Sequence, residues 1–122
     1  MRQIWVVDDD RSIRWVLEKA LTRAQMPFRL FESAADVVKA FEHDTPSVLL
    51  SDIRMHDMSG LDLLAFVKNK YPGLPVIIMT AFSDLDSAVS AFQGGAYEYL
   101  AKPFDINSAI AVSYTHLRAH ET

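Results

Sequence analysis

A chain of 122 residues, half of them hydrophobic and carrying a net charge of −4, has the size and composition of one ordered domain. The acidic balance gives no electrostatic footprint for nucleic acid, and no apolar run approaches the roughly 20 residues of a membrane span. The absence of cysteine excludes a disulfide frame and thiolate metal sites, and Met1-Arg2-Gln3 runs into a strand without a signal segment, so a cytoplasmic chain is expected.

Ile4-Trp5-Val6-Val7 is a short apolar run ended by Asp8-Asp9-Asp10. Ile13, Val16, Leu17, Ala20, Leu21 and Ala24 then fall on one face of a helix, which Pro27 closes. Phe28-Arg29-Leu30-Phe31 alternates as a strand with one polar face. Ser33 can cap a second helix whose Ala34, Val37, Val38 and Phe41 share a face. After Thr45-Pro46 comes Val48-Leu49-Leu50-Ser51-Asp52, a continuous apolar run that stops in a carboxylate, the habit of a parallel strand buried on both sides.

Gly60, Leu64, Val67 and Tyr71 mark a third helix, stopped by Pro72-Gly73. Pro75 to Thr80 reads as a fourth strand, apolar until its terminal hydroxyl. Ser83 and Asp86 resemble a capping box ahead of a helix bearing Leu85, Ala88, Val89 and Phe92, which Gly94-Gly95 ends in the left-handed conformation. Tyr97 to Leu100 is a short fifth strand before Lys102-Pro103, and a last helix starts near Asp105. Trp5, Trp15 and the phenylalanines read as core.

Strands alternating with helices five times predict an α/β fold, a doubly wound parallel sheet with helices on both faces. In the flavodoxin-like strand order 2-1-3-4-5, the ends of the first, third, fourth and fifth strands share one rim. That rim collects Asp8, Asp9, Asp10, Asp52, Thr80 and Lys102. Clustered carboxylates need a counter-charge, and oxygen ligands without neighbouring Cys or His suit a hard cation such as Mg²⁺. A divalent ion, an ammonium and a hydroxyl around one carboxylate describe a phosphoryl-transfer site. Asp52, alone on the middle strand, is then the nucleophile that becomes an aspartyl phosphate, with the neighbouring acids holding metal.

Each residue alone has a plainer reading. The three adjacent acids can be helix-start charges, Thr80 a strand-end hydroxyl, Lys102 a surface lysine, and Ser83, Asp84 and Asp86 caps. His43, His56, His116 and His120 have no metal-like spacing and read as ordinary surface residues. The functional reading rests on four strand ends agreeing.

Val6-Val7-Asp8-Asp9, Ser51-Asp52-Ile53-Arg54-Met55, Met79-Thr80-Ala81 and Lys102-Pro103-Phe104 resemble the receiver domain of bacterial two-component response regulators, over about residues 4–111. Ser12 to Glu18, Thr80 to Val89 and Tyr99 to Asp105 look like the nitrogen-regulation branch of that family. The resemblance implies that Asp52 takes a phosphoryl group from a sensor histidine kinase. Asp9 would ligate Mg²⁺ (or Mn²⁺) directly and Asp8 through water, with Asp52 and the Arg54 backbone carbonyl completing the protein ligands. It further implies that Thr80 and Lys102 bind the phosphoryl oxygens. Tyr99 then moves with Thr80 to switch the surface of the fourth helix and fifth strand, with possible homodimerisation on phosphorylation. An ATPase and a DNA-binding output module would lie outside this chain. The domain would be a phosphoacceptor, with at most slow self-dephosphorylation, rather than an enzyme.

Three departures stand out. The family usually has Pro where His56 stands and Asp where Ser59 stands, which predicts a looser loop with its chemistry intact. Residues 113–122 lack a buried stripe, so the receiver is expected over 1–112, with a truncated last helix and an atypical, non-native tail beyond it. Two rivals remain: a phosphorylation-independent interaction module, and a haloacid-dehalogenase-type phosphatase using Asp8, in which Asp52 would have no role.

Overall fold

In the structure, a computed structural model, the described residues are 3–81, 95 and 98–102, with residues 80–81 and 98–102 described through their backbone. The elements in order are β1 (Ile4–Val7), α1 (Arg11–Arg23), β2 (Phe28–Phe31), α2 (Ala34–Ala40), β3 (Val48–Asp52), α3 (Gly60–Lys70), β4 (Val76–Ala81) and β5 (Glu98–Lys102). Every strand pairing is parallel, and the sheet order is β2-β1-β3-β4-β5, the expected flavodoxin-like arrangement. The helices expected from Ser83 to Phe92 and from Asp105 onward, and residues 113–122, lie outside the described residues.

Strand alternation divides the core into two layers. Ile4, Val6, Val48, Leu50, Ile77 and Met79 face one side, where Leu17 and Leu21 of α1 cover them. Trp5, Val7, Leu49, Val76 and Ile78 face the other, against Ala34 and Val37 of α2 and Leu63, Leu64 and Val67 of α3. β1 and β3 are therefore buried on both faces, as their unbroken apolar runs require. Each fully buried Leu or Ile contributes about 1.5–3 kcal/mol, so the middle of this sheet is rigid support for whatever its strand ends carry. Trp5 packs between Phe31 and Phe41, with ring centroids 5.1 and 5.0 Å away.

Helix ends follow local chemistry. Asp10 caps α1 by accepting from the Ser12 N–H, Ser33 caps α2 through the Asp36 N–H, and Ser59 caps α3 through the Asp62 N–H. At the far end of α1, Met26 N–H bonds the Leu21 carbonyl and Gln25 N–H the Thr22 carbonyl. This is a Schellman stop with Gln25, at φ 59°, in the position glycine normally holds. Gly95 has φ +103°, the left-handed conformation expected of it.

Trp15 corrects the sequence reading: it is 59% exposed. It stands two residues before Leu17, close to half a helical turn away from the buried face, and lies on the outer side of α1 with the Lys19 ammonium 5.7 Å from its ring.

Candidate functional site

Sheet register assembles the rim. Val7 pairs with Ser51, so Asp8 and Asp52 follow as neighbours at the ends of the two central strands. Asp52 pairs with Met79, which places Thr80 one residue further along β4, and Ala81 pairs with Lys102 on β5. The four strand ends thus share an edge, as expected. The side chains of Thr80, Tyr99 and Lys102 lie outside the described residues.

Asp8 is fully buried and Asp52 is 8% exposed, while Asp9 is half-buried. One carboxylate oxygen from each of Asp8, Asp9 and Asp52 lies within 4.8 Å of the others. Ionised carboxylates this close, two of them buried, are stabilised by a cation among them, and an all-oxygen set suits a hard one. The donor set therefore fits a hard divalent cation such as Mg²⁺.

Local hydrogen bonds shape the approach to the trio. Asp8 Oδ1 accepts from the Asp10 N–H at 2.9 Å, and the Arg14 guanidinium donates to the Asp8 carbonyl at 2.6 Å. This pins the β1–α1 turn. Asp10 is committed to capping α1 and stands apart from the trio, in keeping with the helix-start role open to it. The Ser51 hydroxyl donates to the Asp52 carbonyl at 3.0 Å.

The loop after Asp52 is held at both ends. Gly60 N–H bonds the Ile53 carbonyl at 2.7 Å, and a Cβ on Gly60 would collide with the Asp52 carbonyl oxygen and lie 2.7 Å from Ile53 Cα. Only glycine lets the start of α3 approach β3 this closely. Midway, Asp57 accepts from Ala35 N–H at 2.8 Å and Ala34 N–H at 3.3 Å, tying the loop to the start of α2. Desolvation pushes the Asp57 carboxyl up, but the backbone N–H groups of Ala35, Ala34, Asp57 and Met58 outweigh it and hold the group below its usual range.

Two contacts at this site were missed in the sequence. Asp57 gave no signal because its partners are more than twenty positions away. His56 is 93% exposed, as its surface reading expects, and the sequence missed only that its Nε2 lies 3.3 Å from Asp9 Oδ2. A groove of about 720 Å³ lined by Arg14, Arg29, Glu32, Asp36, Lys39 and His43 lies along the β2 edge. It carries charges of both signs and includes none of the trio. Among the described residues, no helix is long and apolar enough to cross a membrane.

Known proteins share this architecture. The response regulator receiver domain family matches residues 4–112. The chain is 61% identical over 118 residues to the DNA-binding transcriptional regulator NtrC of Proteus hauseri, covering 94% of this chain and 25% of that protein. It is also 61% identical over 109 residues to NtrC of Escherichia coli K12. It therefore spans about a quarter of the length of these relatives. The solution structure of the apo receiver domain of nitrogen regulatory protein C superposes with a TM-score of 0.87 at 54% identity, covering 99% of this chain and 98% of that one. The NtrX receiver domain from Brucella abortus gives 0.89 at 30% identity, with 95% and 98% covered. The chain belongs to the response regulator receiver domain family, as a signalling domain of the NtrC-like kind.

Proposed function

We infer that Asp52 is the phosphoacceptor of this domain and that a sensor histidine kinase is its donor. The observation that carries the reading is a nearly buried carboxylate at a strand end, within 4.8 Å of two more. A fixed carboxylate backed by a rigid sheet is oriented before the donor arrives, which is where most of the advantage in phosphoryl transfer lies. An Asp52 oxygen forms a bond to phosphorus as the bond from phosphorus to the donor histidine nitrogen breaks. The electron pair of that bond stays with the imidazole, which takes up a proton.

Asp8, Asp9 and Asp52, with the backbone carbonyl of Arg54, would hold Mg²⁺ (or Mn²⁺). When bound, the ion neutralises charge on the phosphoryl oxygens. Thr80 and Lys102 take the roles of hydroxyl donor and ammonium to those oxygens, and Tyr99 that of the switch aromatic. Their support is the resemblance together with the register that brings β4 and β5 to the same rim. The domain proper is residues 1–112, in line with a family match ending at residue 112. In the full-length cytoplasmic protein it would control ATPase and DNA-binding modules, with dimerisation on phosphorylation, and any self-dephosphorylation would be slow.

The test is incubation with Mg²⁺ and a small phosphoryl donor, followed by intact mass. One added phosphoryl group, lost in Asp52→Asn, is the expected result. Uptake that survives in Asp52→Asn but disappears in Asp8→Asn would instead favour a phosphatase-type nucleophile. No uptake by the folded wild-type chain would leave a binding module.

A further inference from the structure

We propose that Asp57 is a positioning residue for phosphoryl transfer at Asp52, acting by locking the β3–α3 loop against the start of α2. This rests on the reading of Asp52 as phosphoacceptor and of the Arg54 carbonyl as a metal ligand. The base of the loop is closed at one residue. Ile53 N–H donates to the Met79 carbonyl at 3.0 Å, and the Ile53 carbonyl accepts from Gly60 N–H at 2.7 Å. Residues 54–59 bulge between these ends, with Arg54, His56 and Asp57 exposed. The far side of the bulge is held by Asp57, whose Oδ2 accepts from Ala35 N–H at 2.8 Å and whose Oδ1 accepts from Ala34 N–H at 3.3 Å. Both carboxylate oxygens are engaged, so the clamp fixes the orientation of the side chain as well as its reach.

Arg54 is the first residue past the fixed base, and Asp57 lies three residues further on. With the base alone closed, the bulge can pivot about Ile53 and Gly60. The clamp removes that freedom before donor or ion arrives. Phosphoryl transfer gains most from such prior positioning, and a displacement of about 1 Å can cost on the order of a hundredfold in rate. The plainer reading is that Asp57 only caps α2. The first N–H groups of a helix lack partners within it, and here Asp57 serves Ala34 and Ala35 while Ser33 serves Asp36. The two readings part at Ser33, which caps the same helix end but is not part of the loop. Capping alone predicts lost stability from either residue and an unchanged rate from both.

The experiment compares the whole chain with its Asp57→Ala, Asp57→Asn and Ser33→Ala variants, each checked for folding by circular dichroism. Two quantities are read: the rate of phosphoryl uptake from a small donor, by intact mass across a Mg²⁺ series, and Mg²⁺ affinity by calorimetry. In Asp57→Ala both should fall on the order of tenfold, the scale typical of groups that orient a ligand from behind. Asp57→Asn keeps one acceptor oxygen and should fall between. Ser33→Ala should match wild type in rate and affinity while its urea midpoint drops. Wild-type rate and affinity in folded Asp57→Ala would overturn the positioning role and leave the reading of Asp52 standing. Equal losses in Ser33→Ala would overturn it too, because uncapping α2 would then be the cause. If Asp57→Ala does not fold, Asp57→Asn decides, and wild-type rate and affinity there would overturn the role. Failure of the wild type to take up a phosphoryl group would overturn the reading of Asp52, and this inference with it.

Discussion

Replacing Asp52 by Asn separates the electrostatics of the rim from its chemistry. Asp8 is wholly buried, Asp52 is 8% exposed, and their carboxylate oxygens lie within 4.8 Å. Two unit charges at that distance repel by about 3.5 kcal/mol at an effective dielectric of about 20, and by about 0.9 kcal/mol in bulk water. Asn keeps the size of the side chain and removes the charge. It also forfeits the attraction of Asp52 for positive groups, so the expected gain for the cation-free chain is the lower part of that range, about 1–2 kcal/mol. Urea unfolding in excess chelator, followed by tryptophan fluorescence, should show a higher midpoint at unchanged slope. Mg²⁺ then works the other way. At a free concentration roughly tenfold above its dissociation constant, Mg²⁺ stabilises the wild type by about 1.4 kcal/mol, and a variant short of one ligand charge gains less. The gap should narrow or close. A chelated Asp52→Asn chain less stable than wild type would refute the repulsion argument, and a gap indifferent to Mg²⁺ would refute the cation site.

Other positions give independent checks. Gly60→Ala forces a methyl group against the Asp52 carbonyl and should cost about 1–3 kcal/mol in urea unfolding while weakening Mg²⁺ binding, because the strand end that presents Asp52 must shift. Gln25→Gly relieves a left-handed backbone at the end of α1 and should stabilise by about 0.5–1 kcal/mol, with a matching rise in melting temperature. Asp57 has a folded-state pKa below its unfolded value, so its stabilising effect is present above the ordinary carboxylate range and fades as pH falls through the depressed value. Asp57→Asn should therefore lower the unfolding midpoint at neutral pH, with the difference from wild type vanishing under acid conditions.

Much of the fold was legible because burial on both faces leaves a periodicity that survives in one dimension. Val48 to Leu50 could only be a central strand, and Ser33 marked the start of α2 through a bond to a residue three positions on. Trp15 failed for the converse reason. Hydrophobic type alone put it in the core, whereas its phase on α1 places it opposite Leu17 and in solvent. Gln25 was illegible in a different way: a left-handed stop announces itself through glycine, and here a less suitable residue takes the position because Met26 and Leu21 close the turn around it.

The site divides along the same line. The shared rim of Asp8, Asp52, Thr80 and Lys102 was readable because each lies at or beside a strand end, and parallel register turns chain position into proximity. Asp57 and His56 sit in the loop between β3 and α3, where no repeating geometry converts spacing into contact. Asp57 meets the start of α2 through the Ala34 and Ala35 N–H groups, while the Gly60 N–H ties the end of the loop to β3. His56 Nε2 lies 3.3 Å from Asp9 Oδ2. The loop therefore does more than span two elements: Asp57 ties it to the start of α2 and Gly60 ties it to β3, with His56 left exposed beside Asp9. A change at Asp57 can release the loop from α2 without touching the strands that hold Asp8 and Asp52, whereas a change at Gly60 presses on the Asp52 carbonyl itself.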